Sequence, residues 1–496
     1  MLQANVIAVD LGASSGRLVR VSIENGELEL EEVHRFPNEG IYINGRIYTD
    51  ILSIFHEILA GLQKVCLSGR KIDAIGIDSW GVDFAFLDTD GELLGNPYHY
   101  RDTQGTGMIE AAEKIFGKRG LFYETGIQDM WNNTVYQIMG IQKRKPAYLD
   151  RVGHMLMIPD ILGYFLTGSK TVEYTSASTT QMYDVREKKW ADKVCRELGI
   201  RSEMLPEVVM TGTEKGVLTA DVKKLIGLAE EESLRLIATA EHDSAAAAYA
   251  VPTDETHYIF ISSGTWSIIG WVTDDPIVTD EIFEKEYSNE GAAFGKVKLV
   301  KTIMGMWLIQ ELRKCWKRQG KQIDYGFLVE AEENAAPFSH FIDVDDALFA
   351  SPMDMEAAIN QYCAQTGQSI MEEQGDFYRT VMESLAFKYR ESIDDLEKIS
   401  GKTVDKVYLL GGAIQDHAFC QYIANATGKQ VSAGPIEATA IGNAMIQMEA
   451  LGVFSDEKAH TEAIKKFADI SCYEPQETEL WDRMYETYKR VTTKEK

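Results

Sequence analysis

With 496 residues the chain is longer than one hydrophobic core usually serves, so two domains are expected. Hydrophobic residues make up 45% and charged residues 26%, the balance of a soluble globular protein. The 77 acidic residues against 50 basic ones leave a net charge of −27. That field argues against a nucleic-acid binder or a protein drawn to anionic membranes, although backbone N–H groups can still hold a phosphate locally.

The N-terminus, MLQANVIAVDLG, has no basic stretch and enters a strand pattern at once, so no signal peptide is expected. No run of about 18 apolar residues suggests a spanning helix. Residues 5–10 predict a strand, Gly12 and Gly16 bracket a turn, and the strand pattern resumes in LVRVSI. Asn25-Gly26 supplies a second turn before alternation runs on to Phe36, which makes a three-stranded antiparallel meander. Apolar residues at helical spacing predict a helix over 51–67, and IDAIGIDSWG reads as a buried strand running into a loop. Residues 234–241 (LRLIATAE) predict a strand, and AAAAYAV after Ser244 has strong helix propensity. A second β-rich start follows at 257–272, as strand, Gly-containing turn and strand. Farther on come a helix over 377–399, a buried strand over 404–413 ending in a double-Gly turn, and a helix over 417–428. The two β-rich starts predict two α/β domains, 1–250 and 251–496, with a cleft between them. The six cysteines lie far apart with no metal-ligand spacing and read as reduced thiols of a cytoplasmic protein.

No Walker A loop is present, since the glycine that should precede Gly401-Lys402-Thr403 is Leu396, and no GxGxxG follows a strand. Three other Gly-bearing turns are candidates for phosphate binding: Asp10 to Arg17, Ser262 to Ser267, and Gly411-Gly412-Ala413. In the first, Gly12 and Gly16 would let the backbone approach a ligand, and Ser14 and Ser15 can donate hydrogen bonds. Asp10 could meet a phosphate-bound Mg²⁺ through water, and Arg17 could offset phosphate charge. Each turn alone is also what an ordinary hairpin needs. Asp243, between a strand and an alanine-rich helix, can serve as a helix cap. The same place suits a base, because a helix N-terminus favours the anion and should keep it charged at neutral pH. In Asp78-Ser-Trp-Gly-Val-Asp83, Trp80 offers an apolar face to a sugar ring and Gly81 admits close backbone approach.

Taken together, VDLGASSGR (9–17), IGIDSWGVDF (75–84), HDSA (242–245), SSGTWS (262–267), NEG (289–291), IMGMWLIQ (303–310), LGG (410–412) and AGPIEATAIGN (433–443) resemble the FGGY family of carbohydrate kinases. The resemblance implies the two-domain α/β, ribonuclease H-like fold of the actin–hexokinase–sugar kinase group. It also implies ATP and Mg²⁺, and transfer of the γ-phosphate to the 1-hydroxyl of a ketose such as L-rhamnulose. By motif, Ala13, Ser14, Ser15, Gly16 and Arg17 form the first phosphate loop, with Asp10 toward the metal. Asp243 is the proton acceptor. His242, Ser244, Gly81, Trp80, Asp83 and Thr302 lie toward the sugar, and Thr265, Gln310 and Gly412 toward ATP. Four positions depart from the family pattern. Ser244 stands where Thr is usual and keeps the hydroxyl. Thr302 stands where Asn is usual and leaves L-fuculose or a pentulose open as substrate, while Ala413 and Asp416 alter the nucleotide turn. That altered turn is the one feature favouring a non-catalytic nucleotide- or sugar-binding protein.

Overall fold

β1 (Gln3–Leu11) carries Val6, Ile7, Ala8, Val9 and Leu11, all fully buried, because it runs inside a six-stranded sheet rather than along its edge. The computed structural model describes residues 3–454 and 457–493. β2 (Ser15–Glu24) and β3 (Glu27–Pro37) extend the sheet antiparallel on one side of β1. Asn25 and Gly26 between them have φ of 54° and 82°, the left-handed pair that a two-residue hairpin requires. α1 (Ile51–Leu67) spans the expected residues. Asp50 caps it by accepting from the Ser53 N–H at 3.2 Å, and Ile51, Ile54, Ile58, Leu62 and Val65 face the core.

β4 (Ala74–Ser79) lies parallel to β1 on its other side, with Asp78 in register with Asp10. β5 (Glu214–Val217) and β6 (Arg235–Ile237) complete the order β5-β6-β4-β1-β2-β3. The strand expected over 234–241 is thus shorter. After Ile237 the chain stays beside β4 through the Thr239 hydroxyl on Ile77 O (3.1 Å) and the Ser79 N–H on Glu241 O (2.9 Å). It then enters α2 (Asp243–Tyr249).

The same arrangement of a hairpin flanked by a parallel strand recurs downstream. β7 (Ile259–Ser263) pairs antiparallel with β8 (Trp266–Thr273). After the antiparallel pair β9 (Ser288–Gly291) and β10 (Val297–Met304) come α3 (Trp307–Arg318) and the long α4 (Gln374–Ser400). β11 (Lys406–Leu410) then lies parallel to β7. α5 (His417–Thr427), β12 (Gln430–Ala433), α6 (Ala438–Ala450) and β13 (Ser471–Tyr473) follow, with β12 parallel to β11 and β13 antiparallel to β12.

Two compact units result. One is Met1–Asp254, Val272–Val300 and Ala438–Ala468, and the other is Glu255–Trp271, Lys301–Glu437 and Asp469–Lys496. The first changeover lies close to the expected boundary at 250, but two later segments return to the first unit. One of them brings α6 onto β1 and α2 within that unit. The approach is close enough that a Cβ on Gly442 would stand 1.8 Å from Ala246 O, and one on Gly76 of β4 would stand 2.6 Å from Asn443 Oδ1 of α6. The alanines of α2 are therefore the small face against which α6 packs. Among the described residues no helix is long and apolar enough to cross a membrane.

Candidate active site

In the first unit, three aspartates converge at the ends of β1, β4 and the strand that leads into α2. Asp10 closes β1, opposite Arg17 on β2, and the Arg17 guanidinium forks onto Asp10 Oδ2 with Nε at 2.9 Å and Nη2 at 2.7 Å. Arg17 therefore balances a carboxylate of the site. Asp78, level with Asp10 on β4, is fully buried and accepts from Asn443 Nδ2 on α6 at 2.6 Å, while its Oδ1 meets no partner in the described structure. Burial first, and then the neighbouring Asp10 carboxylate, push the Asp78 carboxyl well above its usual range. Sequence reasoning placed Asp78 in a motif without a role. The signal that marks it is the parallel register, which ends two Asp-bearing strands at one level.

Asp243 is the first residue of α2, with His242 at the N-cap position. It does not cap the helix. Its Oδ1 accepts from the Ser244 N–H at 2.6 Å, and about a third of the side chain (35%) is exposed. The helix N-terminus favours the charged carboxylate at neutral pH, but further influences act on its pKa. Burial, assisted by the Asp10 carboxylate, raises it, while His242, the Ser244 N–H and Lys298 offset only part of the rise. His242 Nε2 lies 3.5 Å from Asp243 Oδ1 and Nδ1 lies 3.4 Å from Glu290 Oε2. Ser244 is buried, with its hydroxyl 3.3 Å from the His242 ring nitrogens, so it faces His242.

The turn after β1 is held by the Gly12 N–H on Ser15 O (3.0 Å) and by Asn38 Nδ2 on Gly12 O (2.8 Å). Ser14 is its exposed tip, with Ala13 and Ser15 half-buried. Gly16 has a packing reason of its own. A Cβ there would stand 2.3 Å from Phe36 Cζ, so this glycine makes room for core packing. In the loop after β4, Trp80 and Asp83 are held by the fold itself. Asp83 is fully buried and engaged by Trp80 Nε1 (2.8 Å), the Tyr100 N–H (2.9 Å) and Gln137 Nε2 (3.2 Å). Burial pushes its carboxyl up to about 7. Trp80 is buried beside it, so the pair braces the loop from behind. Gly81 is half-buried, and a Cβ on it would stand 2.9 Å from Thr179 Cγ2. Val82 holds φ of 66°, rare for a β-branched residue, with its N–H on Thr179 Oγ1 (3.0 Å) and its carbonyl accepting from Thr134 Oγ1 (2.7 Å). Nothing in the sequence marks that strain.

In the second unit the turn between β7 and β8 rests on the start of α3, where the Met306 N–H meets Gly264 O (2.9 Å) and the Trp307 N–H meets Thr265 O (3.1 Å). Gln310 Nε2 donates to Thr265 Oγ1 at 3.1 Å, which brings two of the expected nucleotide residues together. Gly411, with φ of 90°, lets the turn after β11 approach Ser263, whose carbonyl oxygen would stand 2.7 Å from a Cβ there. Gly412 is exposed, and a Cβ there would meet nothing. The two departures in this turn face inward. Ala413 is buried, and Asp416 caps α5 by accepting from the Phe419 N–H (3.0 Å) while taking the Tyr378 hydroxyl at 2.6 Å. Thr302 lies half-buried on β10, in the part of that strand belonging to the second unit.

Solved sugar kinases share this fold. A ligand-bound xylulose kinase from Lactobacillus acidophilus superposes with a TM-score of 0.79, covering 98% of this chain and 97% of that one at 17% identity. A Plasmodium falciparum glycerol kinase with ADP gives 0.79, covering 99% of each at 15% identity. Residues 5–250 match the N-terminal domain, and 259–451 the C-terminal domain, of the FGGY family of carbohydrate kinases. The chain belongs to that family. A rhamnulokinase of Bacteroides thetaiotaomicron is 38% identical over 98% of this chain and 99% of its own length. One of Oceanobacillus iheyensis is 37% identical over 95% and 98%.

Proposed function

We propose that this protein is an ATP-dependent kinase of L-rhamnulose, yielding L-rhamnulose 1-phosphate and ADP. The observation that carries the substrate is the similarity to rhamnulokinases along nearly the whole of both chains. Asp243 is the base in this reading. The sugar O1 forms a bond to the γ-phosphorus as the bond from that phosphorus to the β,γ-bridging oxygen breaks. The O1 proton passes to Asp243, and ADP leaves with the bridging oxygen. A carboxylate raised by burial is a stronger base than one in water, which suits the task. By the family's motifs, the turn from Ala13 to Arg17 contacts nucleotide phosphate, and Thr265, Gln310 and Gly412 are nucleotide contacts of the second unit. His242 and Gly81 orient the sugar.

Among the described residues no group of three or more His, Cys, Asp or Glu side chains could hold a metal ion by itself. That fits Mg²⁺ bound mainly by phosphate oxygens and water, with Asp10 as the nearby carboxylate. When bound, the ion would neutralise charge on the transferred group. The free cysteines, four of them buried, suit a cytoplasmic protein.

An ADP-release assay over L-rhamnulose, L-fuculose and the common pentuloses tests the substrate. The highest kcat/KM is expected for L-rhamnulose, and a clear preference for another ketose, which Thr302 makes worth testing, would displace it. Asp243→Asn should fold and bind ATP but lose turnover by about 10²- to 10⁴-fold. Wild-type kcat in that variant would remove Asp243 from the role of base.

A further inference from the structure

β9 and β10 place Glu290 directly opposite Lys298. Lys298 is fully buried and donates to Glu290 Oε2, the same oxygen that lies 3.4 Å from His242 Nδ1. The other ring nitrogen, Nε2, faces Asp243 Oδ1 at 3.5 Å. His242 is thus bracketed by two carboxylates, one of which is anchored by a buried ammonium. Taking an ion pair out of water is costly, and an apolar pair would serve a plain hairpin at least as well. Burial works against the Glu290 carboxylate, yet Lys298 and His242 more than offset it and hold it well below the usual range, so it stands as a fixed acceptor. We propose that Glu290, oriented by Lys298, is a positioning residue for His242. It accepts the Nδ1–H, fixes which ring nitrogen carries that proton, and holds the ring so that Nε2 can accept from the acceptor sugar beside the Asp243 carboxylate. A carboxylate behind an imidazole orients it as it does behind a metal-bound histidine, where removing the carboxylate typically costs about 10- to 100-fold.

The inference rests on the reading of Asp243 as the base, so the test separates the two. The first readout is the imidazole ¹⁵N spectrum of the intact wild-type protein, in which the His242 signals among nine histidines are assigned by their loss in His242→Asn. A protonated Nδ1 is expected. A ring protonated only at Nε2 would overturn the proposal without any Glu290 variant having to fold. The second readout is a double-mutant cycle. Glu290→Gln should lower kcat with L-rhamnulose by about 10- to 100-fold while leaving the KM for ATP within about twofold. In a His242→Asn background the same change should cost nothing further. Equal losses in both backgrounds, or an unchanged kcat, would overturn the proposal even where Asp243→Asn abolishes turnover. Retained turnover in Asp243→Asn would instead strike the reading beneath it.

Discussion

At the scale of single residues, the ionisation of Asp243 makes the sharpest claim. The groups facing it are Asp10 and Asp78 on the strand ends, His242 and the Ser244 N–H on its own segment, Lys298 on β10, and Arg17, which is paired to Asp10. The sum of these with burial raises its pKa. A base works deprotonated, so kcat/KM falls as pH drops through that pKa. The acid limb of the profile is therefore expected above the ordinary aspartate range of about 4. A rate that stays level down to that range would show that Asp243 is not the group titrating. The chemistry of this residue was legible because HDSA follows a strand and opens a helix, which are local facts. The partners of His242 were not, because Glu290 and Lys298 arrive from a hairpin nearly fifty residues later. The inward placement of Ala413 and Asp416 was not legible for a related reason: a motif gives the residue types of a turn but not which side of it is buried.

At the scale of elements, the close packing of α2 on α6 carries the site. The alanine-rich stretch was readable as a helix from its propensity, but its purpose was not, because the partner helix begins at Ala438, after most of the second unit has intervened. Gly442→Ala would drive a methyl to 1.8 Å from Ala246 O, and backbone cannot give way as a flexible side chain can. The expected loss is about 1–3 kcal/mol or more of stability. Since α2 begins with Asp243, a fall in kcat should accompany it. Urea denaturation with an unchanged slope and a lowered midpoint, measured beside ADP release, checks both. A variant as stable and active as wild type would mean that the helices do not pack this closely. The strands were read well where a buried run is bounded by glycine turns, as in β1, β7 and β11. Residues 234–241 were overextended, because one side-chain bond and one isolated backbone bond to β4 keep that segment beside the sheet without a ladder.

Across the whole molecule, the sequence announced two β-rich starts but not the return of Val272–Val300 and Ala438–Ala468 to the first unit, since such returns depend on tertiary packing with no local mark. Buried carboxylates in both units give stability a pH dependence opposite to that of exposed ion pairs. Burial, only partly offset by hydrogen bonds, pushes Asp83, Glu173 and Glu383 up to about 7, and burial with the nearby Asp416 carboxylate pushes Glu332 up to about 8. In the unfolded chain these groups release their protons near pH 4 to 4.5. Their folded-state pKa values are raised, so their contribution is complete below pH 4 and is lost as pH rises through 7 to 8. Glu290 works the other way, its contribution present above about pH 4.5 and lost in acid. Between pH 6 and 9 only the first group acts, and the urea midpoint should fall across that window. Glu332→Gln cannot ionise, so it should be more stable than wild type at pH 9 by on the order of a few kcal/mol, with the gap narrowing toward pH 6 and closing only near pH 4. Parallel wild-type and variant curves would mean that Glu332 ionises in the folded protein as it does in the unfolded chain.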